Sequence, residues 1–218
     1  MPSAEPDAGA APRRDSEQFA GQVQGMFDRI AGVYDLMNSA MTAGLHHRWR
    51  ERAVERAGVG PGSDALDLCC GTGDLTLALR RRIGPDGRVV GSDFSEPMLE
   101  IARAKSGEQG LPAEFAWADA LELPYGDASF DAVTIGFGAH NLADLLASFY
   151  SVWFDRLVPL LGSVAGDSDA YSYLPESVLS FPGPEELAAR MDAAGFERVR
   201  WLLLAGGIIA IHSGVKPA

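Results

Sequence analysis

The stretch Leu66-Asp67-Leu68-Cys69-Cys70-Gly71-Thr72-Gly73-Asp74 decides the fold of this chain. A short apolar run, 65–69, breaks into a turn with two glycines, and helix formers resume at Leu75 and continue to Arg82. Glycine is needed in such a turn because the chain bends sharply and its backbone must approach a ligand with no Cβ in the way. Strand, glycine turn and helix in that order read as the first unit of an α/β sheet.

Outward from this unit the pattern repeats. Gly84-Pro85-Asp86-Gly87 is a turn, and a second short strand, 88–92, ends at Asp93. Ser95 is placed to cap a helix running through Met98 and Ile101 to Lys105. A third strand is expected at 113–117, ending near Asp119. A fourth is expected at 130–137, apolar enough to be buried on both faces. Strands alternating with helices at this spacing imply a mostly parallel, Rossmann-like sheet with right-handed crossovers. Upstream, 19–58 reads as helical, with Trp49 and Val54 as core positions. Residues 1–18 read as a disordered leader, without the apolar stretch of a signal peptide. Downstream, helices are expected at 148–161 and 184–194. Gly195 ends the second, and a C-terminal antiparallel hairpin of strands 198–204 and 207–212 follows. The expected organisation is one domain over 19–218: a helical cap at 19–58, a core at 59–141, and C-terminal helices with the hairpin at 142–218.

Composition narrows the function. The 218 residues suffice for one domain with a sizeable core. A formal charge of −12 argues against a nucleic-acid partner, whose phosphates demand Lys and Arg. Arg48, Arg50, Arg52 and Arg56, and again Arg80, Arg81 and Arg82, read as solvated helix faces. No apolar run is long enough to span a bilayer. Cys69 and Cys70 are adjacent, which points to small packing residues in a reducing cytoplasm rather than a disulfide. His46, His47 and His212 lack the spacing of a metal site. Residues 149–154, rich in aromatics, read as core or pocket wall.

Asp93 lies 20 residues beyond Gly73, at a strand end where a carboxylate accepts hydrogen bonds from ribose hydroxyls. A dinucleotide site usually continues to a third glycine, which lets pyrophosphate approach the helix. Here that position is Thr76. S-adenosylmethionine has no pyrophosphate, and its cationic sulfonium suits an acidic site, so it is the expected cofactor. Asp119, with Ala120 beside it, is placed to face the adenine edge.

With these residues in place, the chain resembles the C-methyltransferases of menaquinone and ubiquinone biosynthesis, from about Met26 to Lys216. The resemblance rests on Phe27-Asp28-Arg29-Ile30-Ala31-Gly32-Val33-Tyr34-Asp35-Leu36-Met37-Asn38, the Asp67–Asp74 turn, and Asp93-Phe94-Ser95-Glu96-Pro97-Met98-Leu99. It continues through Phe130-Asp131-Ala132-Val133-Thr134-Ile135-Gly136-Phe137-Gly138, Asp169-Ala170-Tyr171-Ser172-Tyr173-Leu174-Pro175 and Leu204-Ala205-Gly206-Gly207-Ile208. It implies S-adenosylmethionine contacts at Gly71, Thr72, Gly73, Asp93, Asp119, Ala120 and Gly136. It also implies methylation of a prenylated hydroquinone, most simply demethylmenaquinol, at a ring carbon. Tyr34 and the segment Gly138-Ala139-His140-Asn141 would face that quinol, whose lipid tail implies loose contact with a membrane surface.

Two departures accompany the resemblance. His140 stands where the family commonly has Arg, so a fixed cation gives way either to a base near neutral pH or to a weaker site. His140 is then the candidate for taking the hydroxyl proton, with Asn141 orienting the ring and Tyr34 closing the pocket. Further on, Asn141 passes almost directly into the aromatic-rich helix. A crossover and fifth strand of about thirty residues are therefore expected to be absent. The hairpin must then close against the fourth strand, or leave an open sheet edge. Two other functions remain open at this point: cofactor binding without turnover, and methylation of a different small acceptor.

Overall fold

A computed structural model describes residues 24–25, 27–120, 122–136, 183–204 and 209–217. The leader 1–18, the expected helix at 148–161, the aromatic run 149–154, the hairpin turn, and His140 and Asn141 lie outside them.

Within the described residues the chain begins helically at 24–25 and 27–30 and passes through a 3-10 turn, Ala31–Val33. Helices α1 (Tyr34–Thr42) and α2 (Leu45–Ala57) follow, separated at Ala43 and Gly44, which both take left-handed backbone. The N-terminal helices expected within 19–58 are these two, preceded by the 3-10 turn. Strand β1 (Ala65–Leu68), helix α3 (Asp74–Ile83), strand β2 (Val89–Asp93), helix α4 (Glu96–Gln109), strand β3 (Glu114–Trp117) and strand β4 (Ala132–Ile135) make the core. Helix α5 (Pro184–Ala193) and strands β5 (Glu197–Leu204) and β6 (Ile209–Val215) complete the described chain.

The four core strands are parallel, in the order β3-β2-β1-β4. The chain builds outward from β1 to β3 and then returns to the other side of β1. That reversal opens a crevice between the carboxyl ends of β1 and β4, the usual ligand position in sheets of this kind. Both central strands are buried throughout, because helices cover their faces. Leu75, Leu79 and Ile83 line one side of α3 at four-residue spacing. They pack with Val54 of α2 against Ala65 and Val89.

Several expectations need correction. Ser95 occupies the cap position of α4, but its hydroxyl makes no capping bond and donates to Asp28 Oδ1 at 2.5 Å instead. Strand β4 is not buried on both faces: Val133 and Ile135 are 54% and 62% exposed, while Ala132 and Thr134 turn inward. Its apolar composition gave no sign that one face would stay uncovered. Among the described residues no strand pairs with its outer edge, and β5 and β6 form a separate antiparallel sheet of two. The arginine clusters also divide. Arg48, Arg52, Arg81 and Arg82 are exposed as expected, but Arg50 and Arg80 are buried. Arg50 falls in line with His46 and Val54 on the inner face of α2. Arg80 donates to the Gly87 carbonyl at 3.0 Å. No helix among the described residues is long and apolar enough to cross a membrane.

Glycine 91, in the middle of β2, has no room for a side chain. A Cβ there would come within 2.8 Å of both the Phe115 ring and Thr76 Oγ1. Gly91→Ala should cost about 1–3 kcal/mol by overpacking. Thermal denaturation would register this as a midpoint lowered by about 2–4 °C per kcal/mol. Phe115→Leu in the same chain should recover part of the loss, and an unchanged midpoint in the single variant would contradict the packing described.

Candidate functional site

The site is built where β1 gives way to α3. Asp67 Oδ2 accepts a hydrogen bond from the Thr76 hydroxyl on α3, and Oδ1 accepts one from Thr134 on β4, both at 2.7 Å. The carboxylate is fully buried. Burial pushes its pKa up to about 6, against the pull of the threonine hydroxyls and of Arg50. Cys69 follows with a left-handed φ of +53°, and Gly71 and Gly73 have φ of +54° and +82°. Gly73 is also a packing position, since a Cβ on it would lie 2.8 Å from Ala102 Cβ. Gly71 faces the ring of Tyr34, 3.9 Å from where its Cβ would stand.

At the end of β2, each Asp93 oxygen receives one backbone N–H. Gly71 donates to Oδ2 at 2.8 Å and Ser95 to Oδ1 at 3.0 Å. Burial raises the pKa of this group, and the amide bonds hold it down in part. Every carboxylate oxygen can accept more than one bond, so a diol can still dock on this one.

The N-terminal segment is strapped across both turns. Gln24 Nε2 donates to the Phe94 carbonyl at 2.6 Å, Ser95 donates to Asp28, and the Thr72 hydroxyl donates to Asp35 Oδ1 at 2.6 Å. The Phe27 ring sits edge-on to Tyr34 and to Phe94 at 6.3 Å each. Beneath the strap, Lys105 Nζ reaches Asp35 Oδ2 at 2.5 Å, Asp74 Oδ1 at 2.7 Å and Thr72 Oγ1 at 3.1 Å. Arg50 Nη1 meets the other Asp74 oxygen at 2.9 Å. Burial raises the Asp74 pKa, but Arg50 and Lys105 outweigh it, so the carboxyl stays below its ordinary range.

Tyr34, Gly71, Thr72 and Gly136, all expected at the site, line one cleft together with Arg50, Asp67 and Asp74. Asp93 adjoins it through Gly71, and Gly73 is buried beneath. Asp119 and Ala120 lie exposed beyond β3, outside that cleft. Near them Ala118 N–H donates to the Asp93 carbonyl, so β2 and β3 end together. His140 and Asn141 lie outside the described residues. Cys69 is not a packing residue. The residue is exposed, has left-handed backbone and lines the cleft, where desolvation of the thiol and three nearby carboxylates push its pKa up to about 11. Sequence reasoning missed Arg50, Lys105 and Asp35, and left Asp67 and Asp74 inside a motif without a role. The four-residue spacing of His46, Arg50 and Val54 was the available signal for Arg50, and Lys105 had none.

The residues present fit S-adenosylmethionine. The buried Asp93 carboxylate retains acceptor capacity beside the Gly71 turn, and carboxylates rather than a phosphate cradle line the cleft.

Comparison with known proteins agrees. A model of the ubiE/COQ5 methyltransferase family matches residues 14–149 and 144–216. The chain is 45% identical to a demethylmenaquinone methyltransferase of Thermus thermophilus, over 88% of this chain and 100% of that one. It is 35% identical to the ubiquinone/menaquinone biosynthesis C-methyltransferase UbiE of Saccharophagus degradans, over 93% and 94% respectively. Among solved structures, the [4+2]-cyclase SpnF superposes with a TM-score of 0.57 over 86% of this chain and 76% of that one. At 22% identity this is a likeness of fold alone. The Thermus alignment runs to 222 positions yet takes in only 88% of 218 residues, about 192, leaving about 30 positions with no residue of this chain. The two family matches meet at 144–149, where the sequence predicts the shortfall.

Asp67 offers a test of the buried centre. Its pKa of about 6, against an ordinary 3.8, means the folded protein holds a proton that the unfolded chain has released. Stability from this group therefore falls as pH rises from about 4 to 6 and is level above, a change of about 3 kcal/mol. Asp67→Asn should lack that slope. Urea denaturation from pH 4 to 8 should give a stability difference that moves in the variant's favour as pH rises. A difference independent of pH would contradict the assignment.

Proposed function

Because the chain belongs to the ubiE/COQ5 methyltransferase family, we propose that it moves a methyl group from S-adenosylmethionine to a ring carbon of a prenylated hydroquinone, with demethylmenaquinol as the acceptor. The observation that carries this reading is the strap. The segment Phe27–Asn38, on which the resemblance to quinone C-methyltransferases partly rests, bonds directly to Thr72 and Ser95, beside both glycine and aspartate turns. A general cofactor domain has no need of it.

S-adenosylmethionine, when bound, supplies a methyl group already activated by its sulfonium. What the protein adds is position and a nucleophilic acceptor. Asp93 would hold the ribose, with Asp119 and Ala120 at the adenine, and Gly71, Thr72, Gly73 and Gly136 would form the floor. A hydroquinone carbon becomes nucleophilic when its neighbouring hydroxyl gives up its proton. His140 would take that proton, Asn141 would orient the ring, and Tyr34 would close the site against water. The domain division 19–58, 59–141 and 142–218 follows the same logic of cap, cofactor core and closing hairpin. The acceptor's tail would bring the protein from the cytoplasm to the membrane surface without a spanning helix.

The positions missing near 144–149 favour one other reading, cofactor binding without turnover. Incubation with demethylmenaquinol and labelled donor separates the two: labelled menaquinol supports the enzyme, and donor binding with no product supports the alternative. Labelled product from an unrelated acceptor only would replace both. The cofactor site has its own test. Asp93→Ala should weaken S-adenosylmethionine binding about tenfold to a hundredfold by calorimetry, since hydrogen bonds to a charged group are worth about 1.5–3 kcal/mol. Unchanged affinity would remove Asp93 from the site.

A further inference from the structure

We infer that Arg50 seats the α-carboxylate of S-adenosylmethionine, held in place by Asp74 and, behind it, Lys105; this deepens the cofactor reading above and rests on it. The inference begins with strand order. Across the carboxyl edge of the sheet, β3, β2, β1 and β4 end in turn at Asp119, Asp93, the Gly71–Gly73 loop and Gly136. A nucleoside with its base toward Asp119 and its ribose on Asp93 has one remaining direction, along the loop toward Thr72 and Asp74. The arm leaving the ribose on that side carries the sulfonium and then an amino-acid end.

Arg50 waits at that end. It is 8% exposed, lines the same cleft as Gly71, Thr72, Asp74 and Tyr34, and comes from α2 rather than from the sheet. A guanidinium is costly to bury, and its planar fork of N–H groups matches a carboxylate. Its field is felt around the cleft: it opposes the burial that raises the pKa values of Tyr34 and Asp67, adds to the burial that lowers His46, and outweighs burial at Asp74. The groups paired at that end also balance. Arg50 and Lys105 face Asp35 and Asp74, two cations against two carboxylates. An amino-acid end is itself a neutral pair of charges, so the cluster can receive it without burying net charge. A merely structural Arg50–Asp74 pair, pinning α2 to the start of α3, would account for the burial but not for its place in the cleft.

Two ligands separate these roles. S-adenosylhomocysteine carries the amino-acid end, whereas 5′-methylthioadenosine has the same adenosine and thioether without it. Calorimetry on the full chain should show the first binding about tenfold to a hundredfold more tightly. Arg50→Met should abolish most of that preference and leave 5′-methylthioadenosine affinity unchanged, and Arg50→Lys should restore part of it. Equal weakening of both ligands, or a preference that survives in Arg50→Met, would overturn the inference. Should Arg50→Met fail to fold by near-ultraviolet circular dichroism, Arg50→Lys decides: a reduced preference supports the seat, and an unchanged one overturns it. If the unaltered protein binds neither ligand, it is the cofactor reading that fails, and the inference with it.

Discussion

One carboxylate out of reach of water organises this molecule. Asp67 stands at the centre of the sheet and takes a threonine hydroxyl from α3 on one oxygen and from β4 on the other. The elements whose ends bound the cleft are therefore tied to a single side chain. Burying such a group is tolerable because each oxygen finds a donor, and the remaining cost shows as a carboxyl pKa raised to about 6. An apolar residue at this position would pack, but it would fix neither the start of α3 nor the height of β4. The turn between Asp67 and Asp74 inherits its geometry from that arrangement, and the glycines within it then expose bare backbone.

The second layer comes from elsewhere in the chain. Val54 packs the helical cap into the apolar core, and polar bonds fix it in defined places: Gln24 on Phe94, Asp28 on Ser95, Asp35 on Thr72 and Lys105. Such bonds give direction that hydrophobic packing lacks. Partly buried ion pairs of this sort add little net stability but punish the loss of one partner, so they specify a position rather than strengthen the fold. The cap thus brings Tyr34 and Arg50 to a cleft otherwise made by strand ends.

Most of the architecture was legible in the sequence. The β1 turn, Asp93 and the alternation of strand and helix give a parallel sheet, and Gly195 with the apolar runs after it gives the hairpin. The shortfall near 144–149 was visible as a missing step between two recognisable stretches. What escaped had a common cause. Whether an arginine on a helix is solvated depends on which turn faces inward, and α2 turns Arg50 inward while Arg48 and Arg52 stay out. Lys105 acts through three partners distant in the chain, with no spacing to announce it. Cys69 read as packing because composition does not reveal a left-handed backbone that rotates a small side chain outward. For β4, hydrophobicity predicted what the strand could bury, while among the described residues no strand pairs with its outer edge and Val133 and Ile135 stay exposed.

The strap also has a history in time. Its bonds join residues 24–35 to residues 72–105, separations of 37 to 70 positions. A chain made from its N-terminus releases the cap first, and the last of the cap's partners, Lys105, leaves the ribosome some seventy residues after Asp35. Contacts this distant carry a loop-closure cost before they return anything, so they form late. Assembly of the cleft therefore waits on distant parts of the chain, and a nascent chain stopped short of α4 carries the cap and most of its partners but lacks Lys105, the cation that ties Asp35 to Asp74 and Thr72.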